Sequence, residues 1–267
     1  MTEHSRKIRK LMAGVMPPLV SFVVLVLIWE ILARLAAIEG FPPASEALAQ
    51  VPVILSDPEA LAGIGASLRR MASGGLLAVV VAVPLGLAMG RSAWVARALN
   101  PILTVIYPIP KAALMPIVML WLGIGDLSKV LVIFLGVSLP LIYHSYQGAH
   151  GVDEKLLWSA MAMGMGPVAR LFRVVLPSAL PEVLLGCRVG LAMALIVMIS
   201  SEMIARQSGA GELLFNAMDM AQFADVYAMI AILGVLGFLL DWVFERIRRR
   251  LIHWSNESND VVTGVGG

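Results

Sequence analysis

The sequence predicts an all-α fold: a polytopic membrane bundle of six transmembrane helices with one structured cytoplasmic loop. Three observations predict it. Of 267 residues, 59% are apolar and only 14% charged, with a mean hydropathy of +0.87, whereas soluble domains average about 45–50% apolar and about 25% charged. So few charges cannot clothe that much apolar side chain, which comes close to excluding a water-soluble enzyme and a disordered or fibrous chain. Second, six stretches carry the roughly 20 mostly apolar residues that a bilayer crossing needs. Third, the basic residues segregate between the connections as the membrane rule requires.

The first span is Val15–Ala37. Arg6, Lys7, Arg9 and Lys10 precede it like the basic head of a signal peptide. Its apolar run exceeds the roughly 7–15 residues of a cleaved leader and no clear A-x-A site follows, so the expectation is a retained helix. An outer segment, 39–67, follows. Ser45 and Asp57 are candidate N-caps there and Pro58 a first helical residue, which predicts one or two short surface helices. Leu68–Met89 is the second span. The third, Leu99–Leu122, is interrupted by Pro108, Pro110 and Pro116. Each removes a helix hydrogen bond, so this span is expected to be broken where protein or water can satisfy the freed backbone. Ser128–Tyr146 is the fourth span. The fifth, Pro181–Ala205, carries Glu182, Arg188 and Glu202 and should therefore face protein or a cavity. Val226–Ile247 is the sixth. The resulting division is an N-terminal tail (1–14), a transmembrane domain (15–250) and a C-terminal tail (251–267).

With the N-terminus placed inside, thirteen Lys and Arg fall on the inner side: Arg6, Lys7, Arg9, Lys10, Arg91, Arg97, Lys155, Arg170, Arg173, Arg246 and 248–250. Four fall outside, Arg69, Arg70, Lys129 and Arg206, and Arg34, Lys111 and Arg188 lie within spans. This asymmetry predicts cytoplasmic N- and C-termini. The net charge of +2 gives no reason to expect a nucleic-acid partner.

The inner loop 148–180 has its own punctuation. Asp153 and Glu154 suit the first turn of a helix over Asp153–Met163, and Gly164 and Gly166 stop it. Pro167 opens a second short helix bearing Arg170 and Arg173, and Pro177 is expected to close it. Leu156, Leu157, Trp158, Met161, Met163 and Met165 then cluster outside any span. Such a surface either packs back on the membrane interface or docks a partner, and residue types alone weigh the two evenly.

Residues 158–177, W-S-A-M-A-M-G-M-G-P-V-A-R-L-F-R-V-V-L-P, resemble the signature loop of ABC-importer permeases, with Ala160, Gly164, Val174, Leu176 and Pro177 at or near the expected spacing. The blocks S-L-R-R-M-A-S-G (67–74), V-P-L-G-L-A-M-G (83–90), Y-P-I-P-K-A-A-L-M-P-I-V-M-L-W-L-G-I-G-D-L-S-K (107–129), L-P-S-A-L-P-E-V-L-L-G-C-R-V-G-L (176–191) and S-E-M-I-A (201–205) are similar to the nitrate/sulfonate/taurine branch. The resemblance covers roughly 15–250. Trp158 and Ser159 depart from it, standing where the family has Glu and Ala. The resemblance implies a bacterial inner-membrane permease subunit working as a homodimer. A separate cytoplasmic ABC ATPase pair would bind the ATP, and an extracytoplasmic solute-binding protein would deliver a small oxyanion such as an alkanesulfonate, taurine or nitrate to outer segments 39–66 and 206–225. The coupling loop it implies comprises Asp153, Glu154, Leu157, Trp158, Ala160, Met161, Gly164, Arg170, Leu176 and Pro177.

The chain itself shows no enzymatic constellation. G-x-x-x-x-G-K-[ST], G-x-S-x-G and H-E-x-x-H are all absent, Cys187 is the only cysteine, and His4, His144, His150 and His253 are scattered. No catalytic, cofactor or metal residue is expected. Candidates for the translocation path or its gate are Pro108, Pro110, Lys111, Arg188, Ser201 and Glu202. Lys111 and Arg188 are expected to pair with Glu182, Glu202 or Asp241 more readily than to stand free. Gly86-x-x-x-Gly90 and Gly186-x-x-x-Gly190 allow close helix approach, expected chiefly within one subunit. The alternative function class, a transporter driven by an ion gradient, predicts paired broken helices in both halves; only the third span is strongly broken.

Overall fold

The computed structural model describes residues 3–252, with side chains at 16, 17 and 20–252, so the tail beyond 252 lies outside the described residues. Every regular element among them is helical. The α-helices are α1 (Glu3–Ala36), α2 (Ala44–Ser56), α3 (Pro58–Arg91), α4 (Ala93–Ile106), α5 (Met115–Leu122), α6 (Asp126–His150), α7 (Glu154–Ala162), α8 (Pro167–Arg170), α9 (Leu176–Ala205), α10 (Ala210–Asp219) and α11 (Phe223–Leu251). A 3₁₀ turn, Lys111–Leu114, precedes α5 and a π turn, Leu171–Val175, precedes α9.

Among the described residues, four helical stretches are long and apolar enough to cross a membrane: α3, α6, α11 and the continuous run Pro167–Ala205. The pair α4 and Lys111–Leu122 qualifies as one span bent by 83°. That bend is the predicted break, and it sits at 107–110. Pro116 does not contribute to it. It occupies the first turn of α5, where a missing N–H costs nothing. The first expected span falls on α1, part of whose side chains are outside the description.

The chain divides into two compact units. The first comprises the chain up to Leu61 with Leu213–Leu233. Here the Trp29 indole donates to the Pro42 carbonyl at 3.1 Å and its ring lies 5.6 Å from that of Tyr227. Ser45 is not the N-cap of α2 that the sequence suggested. It sits inside the helix, and the cap comes from Glu30 on α1, whose carboxylate accepts from the Ser45 N–H and hydroxyl at 2.9 Å each and from Arg34 at 2.7 Å. Asp57 does cap α3, accepting from the N–H groups of Glu59 and Ala60. Nothing between Pro58 and Arg91 stops that helix, so the expected outer surface helix and the second span are one element.

The second unit, Ala62–Glu212 with the chain from Gly234, has α6 at its core. Leu141, Ile133, Val132, Ser145 and Ala149 on α6 are all fully buried. Small residues let α3 and α9 approach its backbone. A Cβ at Gly90 would stand 2.6 Å from Ala149 Cβ and 2.7 Å from the Tyr146 carbonyl. One at Gly186 would stand 2.7 Å from His144 Cβ, and one at Gly190 2.9 Å from Val137. Both small-residue pairs therefore serve packing within one chain, as expected. Pro177 does not end the second cytoplasmic helix. A proline lacks only its own N–H and crowds the carbonyl four residues back; the widened π turn just before α9 accommodates it, and the helix runs on through Pro181 to Ala205.

Candidate functional site

The loop after α6 builds one surface. Asp153 caps α7, its carboxylate accepting from the Lys155 N–H at 2.9 Å, and Glu154 opens the first turn near Arg91 at 3.4 Å. The end of α7 is a Schellman turn: Met165 N–H donates to the Ala160 carbonyl and Gly164 N–H to the Met161 carbonyl. Gly164 takes φ +76°, a left-handed conformation that glycine adopts without strain. Sequence and structure thus agree on both ends of this helix.

The two faces of α7 differ. Leu157 and Ala160 are buried, and Leu157 packs with Leu87, Ala149, Val152, Val175, Ala179 and Val183 from α3, α6 and the π–α9 run. The rest of its surface leaves Leu156, Trp158 (60% exposed), Met161 and Met163 (68% exposed) in the open, Met161 one turn beyond Leu157 on the flank of the buried face. Arg170 is partly buried with its Nε unpartnered, while Leu176 and Pro177 start α9, half-buried. An apolar surface this bare, on a nine-residue helix too short to span, suits either packing at the membrane interface or docking of a partner.

At the other end of α3, α6 and α9 lies a buried charge cluster. Glu202 is fully buried. Its carboxylate accepts from Ser67 Oγ at 2.7 and 2.8 Å, Arg70 Nη1 at 2.8 Å and the Gly211 N–H at 3.0 Å. Arg70, 4% exposed, also donates to Asp126 at 2.6 Å and to the Ser208 carbonyl and hydroxyl at 2.6 and 2.7 Å. Lys129, fully buried, donates to the same Ser208 carbonyl at 3.1 Å. Gly209, at φ +139°, lays the backbone against the Glu202 carboxylate where any Cβ would collide with it. Two buried cations thus face the buried Glu202 and the exposed Asp126, an arrangement that holds only while each buried charge has its partner.

The other predicted path residues go elsewhere. Ser201 is buried and its hydroxyl donates to the Met198 carbonyl. Arg188 grips Asp241 through two 2.6 Å contacts and approaches Glu245 at 3.5 Å, so its expected pairing is met on α11. Lys111 meets no carboxylate. Its ammonium caps the broken span, donating to the carbonyls of Ile106 (2.7 Å), Tyr107 (3.2 Å) and Ile109 (2.6 Å) around the proline bend. Pro108 and Pro110 are exposed at the bend. Glu182 takes His144 at 3.1 Å.

Sequence reasoning missed two features. Arg70 and Lys129 were counted as outer-loop charges, yet both are buried partners of the Glu202 group. The second is a cleft of about 690 Å³ lined by Asn100, Thr104 and Tyr107 on the α4 side, Tyr143, His144 and Tyr146 on α6, and Val189 on α9. Tyr143 accepts from Gln147 at 2.8 Å, which leaves its own hydroxyl proton free to donate. The signal was present: 100, 104 and 107 share one helical face, as do 143 and 146.

These features can be set beside known proteins. A family model described as "Binding-protein-dependent transport system inner membrane component" matches residues 82–253. The chain is 31% identical to the taurine transport system permease protein TauC of Escherichia coli, over 95% of this chain and 96% of that one. It is 30% identical to the putative aliphatic sulfonates transport permease protein SsuC of Bacillus subtilis (87% and 85% covered). Identity to the nitrate import permease protein NrtB of Synechocystis is 28% (85% and 86% covered). Among solved structures, the inward-facing methionine ABC transporter MetNI is similar in fold, with TM-score 0.62 at 17% identity, covering 72% of this chain and 95% of that one.

Proposed function

We propose a full transport role for this chain from the premise that it belongs to the family of binding-protein-dependent transport system inner membrane components. It is the multi-pass inner-membrane permease of an ABC importer, in the taurine, sulfonate and nitrate branch, and not an enzyme. Our reading is that it forms the path for a small oxyanion, working as a homodimer of six-span subunits with both termini cytoplasmic. A solute-binding protein delivers the cargo to the outer segments, and two ATPase subunits dock on the α7 loop.

The observation that carries this reading is the divided surface of α7. Its inner face, Leu157 and Ala160, is locked into the helix core, so force applied to the exposed side chains Trp158 and Met163 is transmitted to α3, α6 and α9 together. Trp158 at the family's Glu position replaces a polar contact with an apolar one, which suits a complementary apolar groove on the ATPase. The cleft of about 690 Å³ supplies neutral donors, which can escort an anion without trapping it on a fixed cation. Lys111 and the Pro108–Pro110 bend adjoin it: Lys111 lines a smaller cavity that shares Leu103, Leu139 and Ile142 with the cleft. Glu202 and Ser201 stand at the outer end as a gate.

The test is co-purification of the tagged chain with its ATPase, followed by uptake in proteoliposomes. The expected result is a stable complex and strictly ATP-dependent uptake of a sulfonate or nitrate. Trp158→Ala should weaken the complex while leaving the purified chain's melting temperature unchanged. Uptake that proceeds without ATP, from a chain that retains no ATPase, would sink the reading.

A further inference from the structure

A cleft of about 640 Å³ lies between the end of α3, the first turn of α4, α7 and the α8–π segment. Twelve of its sixteen lining residues are apolar, including Val83, Leu87, Val95, Leu171 and Phe172, so most of its wall suits hydrocarbon. The remaining four are Arg91, Ser92, Glu154 and Arg170.

Neither arginine is well satisfied. Arg91 reaches the Ala149 carbonyl and the Glu154 carboxylate only at 3.4 Å each, beyond the usual hydrogen-bond range. The Arg170 Nε is buried without a hydrogen-bond partner, a costly arrangement unless an acceptor enters the cleft. Ser92 caps the fourteen-residue helix α4, accepting from the Val95 N–H, so the positive end of that helix dipole adjoins the same space. Two guanidiniums and a helix N-terminus thus face one carboxylate that is 59% exposed. Trp94, 75% exposed beside Ser92, and Phe172, 61% exposed on the cleft wall, are aromatic side chains of the kind enriched at the lipid–water boundary.

We propose that this cleft binds an anionic phospholipid of the surrounding bilayer. Arg91 and Arg170 take the headgroup phosphate, and the apolar wall takes the upper acyl chains. Inorganic phosphate shares the headgroup chemistry but leaves the twelve apolar residues without a role, which favours the lipid. The bound molecule would brace α7 against α3 along the flank formed by Leu157 and Met161.

The test is native mass spectrometry of the purified, delipidated chain with phosphatidylglycerol, with phosphatidylcholine of the same acyl chains, and with inorganic phosphate. We expect phosphatidylglycerol to be retained at least about tenfold more than phosphatidylcholine, and to raise the melting temperature, while inorganic phosphate does neither. The pair Arg91→Gln with Arg170→Gln should abolish the preference, and the exposed control Arg97→Gln should keep it. Equal retention of the two lipids by the wild-type chain overturns the proposal without recourse to any variant. So does a preference that survives the double substitution, and so does equal stabilisation by inorganic phosphate, which would make this a free-anion site.

Discussion

Glu202→Gln tests the buried charge cluster most directly. Glutamine matches glutamate in volume, so no cavity confuses the result. Two things change. The amide offers one acceptor oxygen where the carboxylate accepts from Ser67, Arg70 and Gly211, so its NH₂ must face at least one of those donors. The charge balance also shifts: Arg70 at 4% exposure and Lys129 at 0% keep Asp126, which is 64% exposed, and Lys129 keeps the attraction of Glu212. Removing one partner of a buried pair costs about 3–5 kcal/mol. The lower end applies here, because Arg70 keeps Asp126 and both oxygens of Ser208. At about 2–4 °C per kcal/mol for a chain of this size, a loss of about 3 kcal/mol lowers the melting temperature by roughly 6–12 °C. The assay is thermal unfolding of the purified chain in detergent, followed by tryptophan fluorescence. Arg70→Met combined with Glu202→Leu removes both charges and should regain at least half of the loss. A Glu202→Gln chain that melts with the wild type would refute the view that this cluster holds the ends of three helices together.

Four further outcomes follow from particular contacts. Gly90→Leu should destabilise strongly, because its Cβ already overlaps Ala149 and the Tyr146 carbonyl. Gly75→Ala, with nothing within 4 Å of the added Cβ, should be neutral or stabilise by about 0.5–1 kcal/mol, both read by thermal unfolding. Arg188→Met strands Asp241, while Glu245 keeps Arg248 and Arg249, and should cost about 1–3 kcal/mol, which Asp241→Leu in the same chain should partly restore; an unaltered melting curve for Arg188→Met would show that the Arg188–Asp241 pair contributes nothing. Gly164→Val places a β-branched residue at φ +76° with open space around it, so the penalty is backbone strain of about 1–2 kcal/mol confined to the end of α7. Membrane insertion should survive while the ratio of solute imported to ATP hydrolysed falls in proteoliposomes; an unchanged ratio would argue against a coupling role for this turn.

The parts of the fold that were legible in the sequence are those set by neighbours along the chain. Asp153, Gly164, Asp57 and Pro58 bound their helices through hydrogen bonds spanning a few residues, and the Pro108–Pro110 break is a backbone effect. What was not legible depended on distant partners. Ser45 does not cap α2 because Glu30, fifteen residues earlier, does so. Pro177 reads as a stop, but a π turn lets the chain pass it. Arg70 and Lys129 look like loop charges because an apolar window ends at the first charge it meets. In three dimensions α3, α6 and α9 bring opposite charges together, and the helices run past them. The α10 helix went unread as well, within a segment that looked like a connection.

Both ends of the candidate machinery rest on the same three helices, and this gives the arrangement its mechanical sense. Leu87 of α3, Ala149 of α6, and Ala179 and Val183 of α9 receive the buried face of α7. Ser67 and Arg70, Asp126 and Lys129, and Glu202 belong to those same helices at their far ends. Between the two, Gly86 and Gly90 seat α3 on α6, and Gly186 and Gly190 seat α9 on it, at backbone distances that leave no room for a compressible side chain. Close packing of this kind makes elements move as units and not bend locally. A displacement of α7 is therefore resisted at the far end by the Arg70–Glu202 contact, and the two are coupled in both directions. If so, Glu202→Gln should do more than lower stability. It should raise basal ATP hydrolysis in the assembled transporter while the hydrolysis gained on adding loaded binding protein shrinks. An ATPase rate that stays wild-type in a chain shown to be destabilised would confine the cluster to holding the fold.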